Sequence, residues 1–191
     1  MKTVYQFKTA SMKLFLFIIF AISLTTVNAQ FKRGTLQASG LTCAMCTKAI
    51  NNALEELSFI ESVTPDIKNS AFNIVFRENA KVDIDGLRKK VEDAGFSVAR
   101  LKLAANFNNL AVKNDEHVQV EGNTFHFLNV KNQTLKGDKE IVLVDKNFLT
   151  AKEYKKYANA TQMKCITTGK AASCCTKEGI ADNTRIYHVT I

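Results

Sequence analysis

Two cysteines separated by two residues, Cys43-Ala44-Met45-Cys46, are the part of this sequence best suited to chemistry. Their thiolates can converge on one small ion, and soft thiolates select soft metals. Cu(I) is the favoured ion, with Hg(II), Zn(II) and Cd(II) also chemically admissible. The same spacing serves two other purposes, dithiol–disulfide exchange and a structural disulfide. The neighbouring residues weigh against exchange: no Trp, Pro or His flanks the pair, and the one proline, Pro65, falls in a strand-like run. A structural zinc site calls for four ligands, and the next donors are far along the chain. The pattern predicts an exposed two-sulfur site able to hand an ion over. A thiol–disulfide oxidoreductase using the same pair is the alternative.

Cys165, Cys174 and Cys175 form a second group, with His126, His188 and Met163 as further soft donors. The simplest expectation is one disulfide from Cys165 to Cys174 or Cys175. It would close a loop of about ten residues and contribute about 2–3 kcal/mol. A second metal site is the alternative. His117, His126 and His188 sit in strand-like runs, where packed or exposed side chains are the expectation. No nucleophile–base–orienter set, phosphate loop or spaced carboxylate pair is recognisable, so the chain reads as a binding protein, not an enzyme.

The elements that must position the first pair can be traced by periodicity. Gly34–Ser39 alternates around Leu36 and Ala38, as a strand does. From Cys43 to Leu57 the apolar residues Met45, Ala49, Ile50, Ala53, Leu54 and Leu57 recur at helical spacing. Ile60–Ile67 and Ala71–Phe76 read as paired strands around a turn at Asn69-Ser70. Asp83 or Asp85 can cap a second helix, with Leu87, Val91 and Ala94 on one face and Gly95 as its stop. Phe96–Leu103 closes the unit as a strand. The order βαββαβ predicts an α+β, ferredoxin-like sandwich. Ala104–Asn109 reads as a linker, and strand-like runs from 110 to 191 predict a small, mostly β domain of OB-like barrel type. There, Thr150 caps a helix running to Asn159.

The first of these units resembles the heavy-metal-associated domain of copper chaperones, copper-transporting P-type ATPases and the mercuric-ion binding protein. The carriers of the resemblance are Gly40-Leu41-Thr42-Cys43-Ala44-Met45-Cys46 and Ala94-Gly95-Phe96, over about 70 residues (34–104). Membership implies Cys43 and Cys46 as metal ligands, and a metal-transporting ATPase or another metal-handling protein as partner. Leu41 replaces the family's methionine and can pack beneath the loop with little change of volume. Phe96 stands where soluble shuttles of the family often carry a lysine, which resembles the receiving modules of the ATPases.

The 191 residues carry 26 Lys and Arg against 18 Asp and Glu, a formal charge of +8. Hydrophobic residues at 46% and charged residues at 23% exclude wholesale disorder. Five cysteines are too few for a disulfide scaffold. Residues 1–29 have the three parts of a secretory signal peptide: lysines at 2, 8 and 13, an apolar run from Leu14 to Leu24, and Val27-Asn28-Ala29 at the cleavage point. The run is about half the roughly 20 residues a membrane span needs, so no stable span is expected after cleavage, and the destination is periplasmic or secreted. Removal of three lysines lowers the charge to +5. No basic run longer than Lys89-Lys90 or Lys155-Lys156 remains, which argues against nucleic acid as partner.

Overall fold

The computed structural model describes residues 29–41 and 43–191. The expected signal peptide, apart from Ala29, and Thr42 of the dithiol motif lie outside the described residues. Among the described residues no helix is long and apolar enough to cross a membrane.

The first unit has the expected order: β1 (Gln30–Ser39), α1 (Ala44–Glu55), β2 (Ile60–Asp66), β3 (Ala71–Phe76), α2 (Ile84–Asp93) and β4 (Ser97–Val112). Its strands run β2-β3-β1-β4, each antiparallel to its neighbour. Both helices pack on this sheet and on each other. Leu36, Ile50, Leu54, Phe72, Leu87, Val91 and Leu101 are fully buried between the layers. This is the ferredoxin-like sandwich. Asp83, rather than Asp85, caps α2, its carboxylate accepting the Gly86 N–H at 2.9 Å. The helix ends in a Schellman turn. Gly95 takes φ +88, its N–H donates to the Glu92 carbonyl, and the Phe96 N–H donates to that of Val91.

The expected linker does not exist as such. Ala104–Asn109 lies inside β4, a strand of 16 residues in which Leu101, Leu103, Ala105 and Phe107 are all buried at period two. Alanine and asparagine are poor strand formers, which hides the strand from a propensity reading; cross-strand pairing and burial override it. β4 then pairs with β7 (Gln133–Leu143). Lys136-Gly137-Asp138 lies within β7. Gly137, with φ +70, and Asn109, with φ 54, flank an irregularity in the β4–β7 register.

After β4 come β5 (Glu116–Val120), β6 (Asn123–Phe127), β7, α3 (Ala151–Ala158), α4 (Cys165–Thr168), α5 (Ser173–Thr176) and β8 (Ile186–Thr190). They extend the same sheet to eight strands, β2-β3-β1-β4-β7-β8-β6-β5. The separate OB-like barrel is therefore replaced by an open sheet with β2 and β5 at its edges. The sheet curls. The β5–β6 hairpin returns to the start of β1, where the Phe31 ring meets Phe125 edge-on at 5.8 Å and the Phe31 N–H donates to Glu121 Oε1 at 2.8 Å. One hydrophobic core runs from Phe31 through Phe107 and Phe125 to Phe148 and Val189. The residue ranges 34–104 and 110–191 thus share a sheet and a core.

Candidate metal centre

β1 delivers the chain to the dithiol through Gly40, whose φ of +85 places it in the left-handed region. Cys43 is the N-cap of α1, with extended backbone (φ −152, ψ 160) and a sulfur that accepts the Cys46 N–H at 3.4 Å. The two Sγ atoms are 2.7 Å apart, with Cys43 exposed and Cys46 half-buried. The first turn of α1 carries no acidic side chain, so the partial positive charge of the helix N-terminus is unopposed there. A bound ion with metal–sulfur distances of about 2.3 Å would spread the sulfurs to between roughly 3.8 Å at a tetrahedral angle and 4.6 Å in a linear arrangement. An exposed Cys43 side chain can make that small rotation without disturbing the core.

The support beneath the loop is apolar. Leu41 and Phe96 pack on the main core, and Phe96 Cδ1 lies 3.8 Å from where a Cβ on Gly40 would stand. Leu41 occupies the role expected of it. Met45 does not: it is 73% exposed beside the two sulfurs, and the buried face of α1 is Ile50 and Leu54, with Leu57 at its edge. Ala44, Met45 and Ala49 are exposed, so the apolar stripe begins later than the sequence periodicity suggests.

The remaining cysteines also depart from expectation. Cys165, Cys174 and Cys175 form no disulfide. Cys165 and Cys175 are buried in a separate small core with Ile186. Cys174 and Cys175 stand with sulfurs 3.5 Å apart. The three histidines, expected to be scattered packed or exposed side chains, are drawn to this same cluster. The sequence signal for it is a histidine within each of three short strand-like runs, at His117, His126 and His188.

Comparison with known proteins adds to this geometry. Residues 35–97 match the heavy-metal-associated domain family. An uncharacterised protein of Haemophilus influenzae is 37% identical over 62 residues, covering 32% of this chain and 88% of that protein. The copper chaperone CopZ of Bacillus subtilis is 29% identical over 66 residues, covering 35% of this chain and 94% of the chaperone. The probable copper-transporting ATPase HMA5 of Arabidopsis thaliana is 30% identical over 80 residues, covering 42% of this chain. The chain spans only 8% of that ATPase's length. The matched residues make up the ferredoxin-like sandwich that carries the dithiol at the head of its first helix. Through residues 35–97 the chain belongs to the heavy-metal-associated domain family.

Proposed function

We propose that this chain is an exported metal-handling protein that binds one Cu(I) through Cys43 and Cys46 and passes it to, or withholds it from, a partner protein. The observation that carries the reading is the pair of sulfurs 2.7 Å apart at the exposed head of α1. Thiolates there are soft donors held open to an approaching partner, and a two-sulfur set permits exchange through a shared three-sulfur intermediate. The family relationship favours copper over Hg(II), Zn(II) or Cd(II), since named relatives are a copper chaperone and a copper-transporting ATPase. A metal-transporting ATPase or similar metal-handling protein is the natural partner. The exposed Met45 beside the sulfurs supplies an apolar contact for docking. Export rests on the leader-like residues 1–29 and makes the location periplasmic or secreted.

The test is titration of Cu(I) against a chromophoric chelator under reducing conditions. One tightly held equivalent is expected, lost in Cys43→Ser/Cys46→Ser. Unchanged affinity in that variant would sink the assignment. Rapid catalytic turnover of a model disulfide would favour the oxidoreductase instead.

A further inference from the structure

His117 on β5, His126 on β6 and His188 on β8 are direct cross-strand neighbours: His117 pairs with His126, and His126 with His188. Each ring turns one nitrogen to the same sulfur. His188 Nε2 lies 3.5 Å from Cys165 Sγ, His126 Nδ1 3.7 Å and His117 Nε2 3.8 Å. Each ring turns its other nitrogen to a carboxylate: His188 Nδ1 to Asp145 at 2.9 Å, His126 Nε2 to Asp115 at 2.9 Å, and His117 Nδ1 to Glu178 at 2.8 Å. The side chains of all three histidines are at most 2% exposed, and Cys165 is fully buried.

From this arrangement we infer that His117, His126 and Cys165, whose ligand atoms all lie within 4.8 Å of one another, form a second metal site for a divalent ion of zinc type, separate from the dithiol, with His188 closing on it from the far side of the sulfur as the fourth, tetrahedral ligand. The distances carry the argument. An ion held at about 2.0 Å from imidazole nitrogen and 2.3 Å from sulfur, with a tetrahedral angle between them, sets nitrogen and sulfur roughly 3.5 Å apart. The three observed separations are within a few tenths of an ångström of that value. The carboxylates form the outer half of such a site. Each fixes the orientation and tautomer of its histidine and makes the inward nitrogen a better donor. The charges select a dication. A Cys165 thiolate with Asp115, Asp145 and Glu178 brings four negative charges, against which Arg185, 3.5 Å from Asp145, supplies one positive charge. On binding, the Cys165 thiol proton leaves to solvent and the sulfur takes the ion in its place.

Nucleophilic catalysis through Cys165, His188 and Asp145 fits less well. No substrate can reach a fully buried sulfur. Cys175, packed with Cys165 in the same small core, and the half-exposed Cys174 instead continue the line of sulfur donors toward the surface, a route by which an ion can reach the histidines.

The test uses the full chain with Cys43 and Cys46 replaced by serine, which silences the first site. Reduced protein is titrated with Co(II) as a spectroscopic probe and then with Zn(II). One equivalent of Co(II) is expected, with the intense visible bands of tetrahedral coordination and a thiolate-to-cobalt charge-transfer band, both removed by Zn(II). Cys165→Ser should abolish the charge-transfer band, and His126→Gln should weaken binding at least tenfold. Asp115→Asn, at a partly exposed carboxylate, should weaken it about 10- to 100-fold while the apo fold is kept. No stoichiometric binding, binding without the charge-transfer band, or affinity unmoved by Cys165→Ser and Asp115→Asn overturns it.

Discussion

Arg185, just before β8, donates from Nε and Nη2 to the two carboxylate oxygens of Asp85 on α2, at 2.8 and 3.2 Å, across 100 residues of chain. The Tyr187 hydroxyl donates to the same carboxylate at 3.1 Å, and the Arg185 guanidinium lies 4.1 Å from the centre of the Tyr187 ring. Nη1 of Arg185 reaches Asp145, which in turn holds His188. The metal-binding unit and the C-terminal strands are therefore fastened by a polar clamp as well as by their common sheet, and the clamp touches the carboxylate that orients one histidine of the buried cluster.

Removing the clamp should cost stability. Arg185→Ala leaves Asp85 and Asp145 without their shared partner and is expected to destabilise by about 2–4 kcal/mol in urea unfolding. Arg185→Lys should restore only part, because one ammonium cannot serve both oxygens of Asp85 in a fork. Burial opposes ionisation of Asp85, but hydrogen bonding and charge from Arg185 outweigh it and hold the carboxyl below its ordinary value of 3.8. A carboxylate lowered on folding stabilises fully above its unfolded value, and that stabilisation is lost as pH falls through the folded one. The deficit of Asp85→Asn should accordingly be present at pH 7 and shrink below about pH 4. An equal deficit at pH 7 and pH 3 would remove the ionic part of the clamp.

On α1 the exposed and buried faces make opposite predictions. Met45 touches little and is 73% exposed, so Met45→Ser should change stability by less than about 0.5 kcal/mol. Leu54 is fully buried, and Leu54→Ala should cost about 2–5 kcal/mol. Thermal or urea unfolding of the two variants checks the assignment; a large loss from Met45→Ser would return Met45 to the core.

The same helix shows how far the sequence could be read. Strict helical spacing identified α1, and Gly95 marked the end of α2, because these depend on neighbours a few residues apart. Met45 was misplaced because spacing says which residues share a face but not where along the helix the sheet begins to cover it. Ala104–Asn109 reads as a linker because its residues lack strand propensity; only β1 and β7 on either side make it part of β4. The dithiol was legible from four consecutive residues. The histidine cluster was not, since His117, His126, His188 and Cys165 meet only through the β5–β6–β8 pairing, one part of which is a parallel contact between β6 and β8 that joins distant segments.

Glu121 gives a pH prediction of the opposite sign to Asp85. Burial raises its carboxyl above the ordinary 4.5, and the Phe31 N–H offsets that only in part. A carboxyl raised on folding favours the folded state below its unfolded value, and that advantage is lost as pH rises through the folded one. Glu121→Gln keeps an oxygen for the Phe31 N–H and has no charge to bury. It should be more stable than the parent at pH 7, with the difference closing toward pH 4. Equal unfolding midpoints across that range would mean that Glu121 ionises without penalty.

Cys43 combines two roles that substitutions can separate. As N-cap it accepts the Cys46 N–H, and as a sulfur it stands 2.7 Å from Cys46 Sγ. Serine is a strong N-cap residue and alanine a poor one, by about 1 kcal/mol. Cys43→Ser and Cys43→Ala should therefore lose Cu(I) affinity together in chelator competition, while urea unfolding ranks serine above alanine by about that amount. Equal stability of the two would show that the sulfur does no capping. Retained affinity in Cys43→Ser would show that the hydroxyl suffices and that Cys43 is not a required ligand. A loss of affinity shared by both variants, alongside a stability difference between them, is the pattern expected of a residue that shapes the helix end with one lone pair and offers the sulfur to an incoming ion.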